Sequence, residues 1–384
     1  MRSVLVVGAG FAGAVFARTL AEAGYHITVI DKRHHIAGNA YDEVDATGTR
    51  VHVYGPHLFH TSNMGVVKWL SRFTEWLPYR HFVDALLPSG QLAPLPINKT
   101  TLERFFNVSL DGEGSVNNLL AAQAVGISNP ANAAEYLNSR LGRELTDTFF
   151  RPYTKKMWDL DLEDLDASVV KRIPLRADDN RDYFPDDTFQ GLPADGYTEL
   201  FRRIFDHPSI EVHLNESFDR SREQFYDYTF NSMPIDEYFG FCEGDLPYRS
   251  IKFHTRIQDV GDETGASVLN FTDSGPYTRE TYWRRLPGHA VKPSSVQPVT
   301  REEPCDYRDN NFERYYPVKR SDGASTLLYD KYKALAMEIE GRTAFIGRCG
   351  TYQYLDMHQV INQSLQKANK WLMERGEKVE ANVN

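Results

Sequence analysis

The sequence predicts an α/β fold built on a Rossmann-like nucleotide-binding unit, with a small helical insertion and a strand-rich region beyond it. Three observations carry that prediction. A glycine-rich turn, Gly8-Ala9-Gly10-Phe11-Ala12-Gly13, joins an apolar strand to an Ala-rich amphipathic stretch. Residues 99–150 break into short helical patterns, whereas residues 236–330 are strand-like, Tyr-rich and interrupted by Gly and Pro. The chain is 384 residues long, enough for more than one core.

The first 40 residues are the most informative. Ser3 to Val7 reads as a buried strand, the following stretch to Gly24 as a helix, and Ile27 to Ile30 as a second strand ending on Asp31. Gly8 permits the tight turn, Gly10 lets backbone approach a pyrophosphate, and Gly13 lets the helix pack closely on the strand. The helix N-terminus then presents free N–H groups and partial positive charge to the phosphates. Asp31 follows Gly13 by 18 residues, the spacing of an acid that accepts hydrogen bonds from a ribose. A second glycine-bearing loop follows, Lys32-Arg33-His34-His35-Ile36-Ala37-Gly38-Asn39. FAD enzymes of the glutathione-reductase type carry such a loop, which folds back to bring more backbone amides to the cofactor. The sequence therefore points to FAD.

Downstream, Arg50 to Phe59 reads as a strand entering a loop and Met64 to Thr74 as a helix with Val66, Val67, Leu70 and Phe73 on its apolar side. Phe82 to Leu87 and Gln91 to Pro96 read as a hairpin turned at Ser89-Gly90. Residues 159–190 are rich in Asp, Arg and Pro with few apolar anchors, and are expected to form a long mobile segment. Thr198 to Phe205 reads as a helix and Ile210 to Leu214 as a strand. Thr229 to Met233 is expected to return to the first sheet, as is a strand at Thr343 to Ile346. A helix from about Asp356 to Arg375 closes the chain.

With 43 basic and 53 acidic residues the net charge is −10, and no basic cluster provides a nucleic-acid surface. No run reaches the ~18 apolar residues needed to span a bilayer. The chain opens inside a strand, and Cys242, Cys305 and Cys349 are too widely spaced for a disulfide framework or zinc site. A reduced, cytoplasmic protein without a metal is expected. The acidic run Asp159-x-Asp161-x-Glu163-Asp164 lacks the glycine of a calcium loop, and its twelfth position is Val170. His57 and His60 lie in a loop suited to packing a cofactor or sugar. An anionic ligand needs locally placed guanidinium forks, and Arg172, Arg176, Arg181, Arg279 and Arg348 are the candidates. Aromatic residues crowd the same regions, among them Phe149, Phe150, Tyr153, Trp158, Tyr183, Phe184, Tyr315, Tyr316, Tyr352 and Tyr354; such rings can sandwich a uracil and a flavin.

At this point the strings "VVGAGFAG", "HHIAGNAY", "YGPHLFHT", "RPYTKKMW", "VKRIPLR", "YFPDDTFQGLPADGYT", "YTRE", "RYYPV" and "GRCGTYQYLDM" together resemble the UDP-galactopyranose mutases of the prokaryotic type, in family order from residue 4 to residue 357. The resemblance implies three domains. An FAD-binding Rossmann-like domain would take residues 1–78, 192–235 and 312–384. A helical domain would span 99–172 with a mobile substrate loop at about 159–182. A twisted antiparallel β-sheet domain would take 79–98, 173–191 and 236–311. It implies a redox-neutral interconversion of UDP-galactopyranose and UDP-galactofuranose that needs reduced FAD. In the family mechanism reduced flavin N5 attacks the anomeric carbon, UDP leaves, and a flavin-iminium lets the ring open and reclose.

The resemblance also implies roles. Arg172, on the mobile loop, and Arg279, on the sheet, would clamp the diphosphate and act with His60 as the catalytic set. Phe150 and Tyr153 would contact uracil, and Trp158 would begin the moving loop. Tyr183, Tyr316 and Tyr354 would bond the diphosphate with Phe184 nearby. Gly8, Gly10, Phe11, Gly13, Asp31, Lys32, Gly38, Asn39 and His57 would hold FAD, with Arg348 on its pyrophosphate and Asp356 and Met357 near the flavin and ribityl chain. Ala37 stands where the common loop has Gly, and an alanine fits if its φ is negative. "YTRETYWRRLPGHAVKPSS" departs from the family after the shared Tyr-Thr-Arg. A flavin-reducing system and a homodimer are further expectations. Three alternatives remain: a mutase for another nucleotide sugar such as UDP-N-acetylgalactosamine, an FAD-dependent oxidoreductase of amine-oxidase type, and a non-catalytic flavin protein.

Overall fold

Ser3–Val7 lies at the centre of a five-stranded parallel sheet, flanked by His26–Asp31 and Ile210–Leu214 on one side and Tyr228–Asn231 and Thr343–Phe345 on the other. Its four apolar residues after Ser3 are buried, as a parallel strand covered on both faces requires. The helix Phe11–Glu22 covers one face together with the C-terminal helix Met357–Glu374. Phe16 meets Phe230 at 4.3 Å, and Trp371 of the last helix packs on Tyr25, Tyr228 and Phe230. The computed structural model describes residues 2–171, 175–261, 265–320 and 322–377. Arg172 therefore lies outside the described residues.

A seven-stranded sheet stands beside this layer. Its order is Tyr316–Pro317, Tyr248–Asp259, Val296–Asp306, Arg279–Tyr282, Val268–Phe271, Val83–Leu86 and Leu92–Leu95. The pairings are antiparallel except that of Val268–Phe271 with Val83–Leu86, which is parallel. Phe59–Thr61, Phe189–Pro193 and Trp76–Pro78 form a small antiparallel sheet with Phe189–Pro193 in the middle.

The helical insertion comprises Lys99–Phe106, Glu113–Gln123, Ala133–Leu145 and Arg151–Trp158. Asn98 caps the first of these, accepting from the Thr101 amide at 3.0 Å while its own amide donates to the Thr101 hydroxyl. Thr146–Phe150 is a π-helical turn, a device that often marks functional positions. It turns Phe149 and Phe150 out of the α-helical register.

Two expectations are corrected here. The segment after Trp158 has apolar anchors: Leu160, Leu162, Leu165 and Val170 are buried in the helical core, and Ala167 is buried beside them in sequence. The Leu165 and Leu162 carbonyls accept from the Ala133 and Ala134 amides. Further along, Arg181 pairs with Asp84, Arg80 with Asp182, and Lys99 with Asp179. The second correction is the 15-residue helix Ala324–Glu338, which begins within the region read as strands. It buries only Ser325 and Tyr332, so it has almost no apolar periodicity to read.

Candidate active site

A cavity of about 770 Å³ runs between the layers, from Gly8 and Gly10 at one end to Phe150 and Tyr153 at the other. That volume is within the ~300–1,000 Å³ typical of ligand and cofactor sites. At the glycine end the backbone does the shaping. Gly8 has φ +101°, and a Cβ there would strike the Ser232 hydroxyl. A Cβ on Gly13 would stand 1.9 Å from the Gly8 carbonyl oxygen, so only glycine lets this helix pack on its own turn. A Cβ on Gly10 would touch the Gly38 Cα of the second loop at 3.7 Å, and one on Gly38 would stand 3.0 Å from the Gly10 Cα, so the two loops approach closely here.

The second loop does fold back on the first: the Ala37 amide donates to the Ala9 carbonyl at 2.9 Å. Asp31 joins them, accepting from the Ala9 amide at 2.8 Å and the Arg33 amide at 2.9 Å. An ionised carboxylate has about four acceptor sites, so a ribose contact is compatible with both bonds. Ala37, however, adopts φ +74° and is buried. The condition of a negative φ is therefore not met; the loop takes the left-handed conformation, which costs an L-residue free energy.

Lys32 and Asn39 line this end. Asn39 accepts from Arg33, and Glu313 receives both Arg33, at 2.5 Å, and Lys32. Arg348 enters from the short turn Gly347–Gly350, its guanidinium 4.9 Å from the Tyr354 ring centre. Its Nε is buried with no hydrogen-bond partner among the described residues. Such an orphaned cationic donor fits an anionic ligand. Phe11, Asp356 and Met357 place the N-termini of two long helices against the same space.

The other end is built from side chains. Arg279 and Glu302 are cross-strand neighbours, and Arg279 Nε lies 3.0 Å from Glu302 Oε2. Arg279 also donates to the Tyr153 hydroxyl at 3.2 Å. Burial pushes the Glu302 carboxyl up and Arg279 pulls it back, leaving it above the usual carboxylate range. Its Oε1 is buried without a partner among the described residues. Burial also raises the Tyr153 hydroxyl, to about 12, against the pull of Arg279. Neither phenol nor guanidinium gives up its proton near neutrality.

His60 stacks on Phe184 at 3.5 Å with the ring planes nearly parallel, and bonds Asp187 through Nδ1 at 2.6 Å. His57 bonds the Gly55 carbonyl through Nδ1, leaving Nε2 as its accepting nitrogen when neutral. Burial drives His57 down to about 4 and His81 to about 3, with Arg279 adding to both. These imidazoles are uncharged at neutral pH. Trp158, Tyr183 and Tyr354 also line the cavity.

Of the residues to which the resemblance gives a site role and which lie within the described chain, all but two line the cavity. The further candidates Arg176, Arg181 and Tyr352 do not, since Arg176 pairs with Asp178, Arg181 with Asp84, and Tyr352 donates to the Val318 carbonyl. Gly13 sits behind the cavity wall, where its packing role requires. Tyr316 is fully buried, donates its hydroxyl to the Met157 carbonyl at 2.5 Å and does not line the cavity; the wall position belongs to Tyr315. Adjacent strand residues face opposite sides, and "RYYPV" offers no sign of which tyrosine points in. Sequence reasoning also missed Glu302, His81 and Asp187. Glu302 stands in an acidic pair, Glu302-Glu303, that reads as a solvated strand face. Among the described residues no cluster of His, Cys, Asp or Glu could hold a metal ion, and no helix is long and apolar enough to cross a membrane.

The fold and cavity define a Rossmann-like dinucleotide-binding protein, and residues 6–73 match the NAD(P)-binding Rossmann-like domain. Residues 148–354 match UDP-galactopyranose mutase. The chain is 36% identical to the "Probable UDP-galactopyranose mutase" of Klebsiella pneumoniae, over 97% of this chain and 95% of that one. It is 34% identical to the dTDP-fucopyranose mutase of Escherichia coli, over 97% and 99%. A crystal structure of reduced UDP-galactopyranose mutase superposes with TM-score 0.75 at 16% identity, covering 100% of this chain and 96% of that one. The chain belongs to the UDP-galactopyranose mutase family, a family of isomerases.

Proposed function

We propose that this enzyme interconverts UDP-galactopyranose and UDP-galactofuranose on FAD held reduced by an external electron donor. The observation that carries the reading is the single cavity joining a dinucleotide cradle to an arginine–tyrosine–carboxylate constellation. Gly10, the facing Gly38 loop and Arg348 suit a cofactor diphosphate, and Asp31 a ribose. Reduced flavin, when bound, supplies the nucleophile for the anomeric carbon. Everything else falls to side chains. As the sugar–oxygen bond breaks, negative charge grows on the departing diphosphate. Arg279, already oriented by Glu302 and Tyr153, opposes that charge in a water-poor space where each interaction counts for more. His57 and His81, uncharged, line the cavity without adding positive charge beside Arg279. Phe150 and Tyr153 offer faces to the base, and Phe184 with His60 makes a flat wall for the sugar.

A second reading is favoured by the similarity to the dTDP-fucopyranose mutase, which matches the same 97% of this chain as the first relative. Phe149 and Phe150 share one apolar cluster with Leu95, Ile97 and Val170, which also reach the cavity, and a thymine methyl is compatible with such a wall. Incubation of the dithionite-reduced holoenzyme with UDP-galactofuranose, and in parallel with dTDP-fucofuranose, separates the two. Chromatographic conversion of the UDP sugar is expected; conversion of the dTDP sugar alone would replace the proposal, and conversion of neither would overturn both.

A further inference from the structure

We infer that Lys156 is a positioning residue for the substrate end of the cavity: its ammonium locks the helix that carries Tyr153 to the loop that leads into Arg279. The inference rests on the nucleotide-sugar reading above. Lys156 Nζ lies 3.1 Å from the Phe271 carbonyl oxygen, 2.9 Å from that of Asp273 and 2.8 Å from that of Tyr277. The Asp273 carboxylate stands farther off, at 3.5 Å; a lysine ammonium has three donors and no acceptor, so the three shorter contacts to converging carbonyls use all of them. The side chain is only 9% exposed. The loop closes on itself through the Phe271 amide and the Thr278 carbonyl, and Thr278 donates its own amide to Glu302. The three oxygens thus form a ring that a buried cation fills, and the cation arrives from another domain's helix.

The consequence concerns one distance. Tyr153 stands one turn before Lys156 on Arg151–Trp158, and Arg279 begins the strand immediately after the loop. The 3.2 Å contact between them therefore spans two elements whose relative position Lys156 sets. The far end of the same helix is held separately: Arg249 donates to the Lys156 and Met157 carbonyls, and Tyr316 to that of Met157. With the helix end fixed there, loss of the ammonium releases the loop rather than the helix. Arginine cannot restore the lock, because its donors lie in a planar fork rather than around a point.

The test is a double-mutant cycle on UDP affinity, read by quenching of tryptophan fluorescence in the flavin-loaded protein. Lys156→Met is expected to weaken UDP about tenfold and Tyr153→Phe about fivefold, with the double variant no weaker than Lys156→Met, since contacting or coupled residues are non-additive. KM should rise more than kcat falls, and flavin content should stay at the wild-type level. If Lys156→Met does not accumulate as folded holoprotein, Lys156→Arg carries the same cycle. Wild-type affinity in the lysine variant, or strictly additive losses in the cycle, would overturn the inference. Failure of the wild-type protein itself to bind UDP would instead overturn the functional reading on which it rests.

Discussion

The two ends of the cavity are made of different material. The dinucleotide end is backbone: two glycine turns in mutual contact, two helix N-termini, and one acid binding amides of both loops. The substrate end is side chain: Arg279, Glu302, Tyr153, His60, Phe184 and Tyr354 come from distant segments of the chain. The first cannot be altered without moving the fold, whereas the second can be emptied residue by residue. Paired variants should expose that difference. Gly13→Val places branched carbons where a single Cβ already meets the Gly8 carbonyl oxygen at 1.9 Å, and the protein is expected to lose flavin and thermal stability together. Arg279→Ala should keep its flavin absorbance and melting temperature while turnover falls ~10³-fold, the usual scale for removing a charge-stabilising donor. Flavin loss in the arginine variant, or flavin retention in the glycine variant, would break the distinction.

A second test lies in acid. His52, His81 and His289 are nearly inaccessible, and burial lowers all three, His81 to about 3, His289 to about 4 and His52 well below the ordinary value. His52 is held neutral for a visible reason: its Nδ1 accepts the His57 amide at 3.0 Å. Above the unfolded-state value of about 6.5 the folded and unfolded chains bind equal protons at these sites. Below it the unfolded chain takes them up and the folded chain does not. Stability is therefore lost as pH falls from about 6.5 towards 4, at ~1.4 kcal/mol per pH unit for each imidazole. Glu302 and Asp236, raised by burial, oppose the trend. Urea unfolding between pH 7 and 5 should show a net loss, partly relieved in His289→Phe; stability flat across that range would sink the assignment.

The same contrast explains how much could be read beforehand. Ser3–Val7, the glycine turn, His26–Asp31 and Ile210–Leu214 obey local rules, and their limits lie within a residue of those expected. Residue chemistry marks the cavity's arginine and aromatic residues as candidates for an anionic, ring-bearing ligand, and only the strings resembling a family give them individual roles. What neither route supplied depends on through-space partners or on the side a chain faces. Glu302 acquires meaning opposite Arg279, and Asp187 opposite His60. Tyr315 and Tyr316 differ only in direction. Leu160, Leu162 and Leu165 were present in "DLDLEDLDASVV" but were outweighed by the acids between them, although the alternation buries the leucines and leaves Asp161, Glu163 and Asp164 exposed.

Ala37 offers the finest test of the backbone-built end. Its φ of +74° and ψ of −3° are held by two hydrogen bonds, from its amide to Ala9 and from the Ala40 amide to its carbonyl. It is 1% exposed, and its methyl belongs to the main apolar core. Two effects therefore compete in Ala37→Gly. Relief of the left-handed strain favours the variant by ~1–2 kcal/mol. The greater freedom of glycine in the unfolded chain, ~0.4–1 kcal/mol, and the loss of one buried methyl, ~0.8 kcal/mol, oppose it. The net change is expected within about 1 kcal/mol of zero, with flavin affinity unchanged, because the amides that face the cofactor keep their positions. A fall in flavin affinity beyond about tenfold would mean that the alanine methyl, and not the shape of the backbone, holds the second loop against the first.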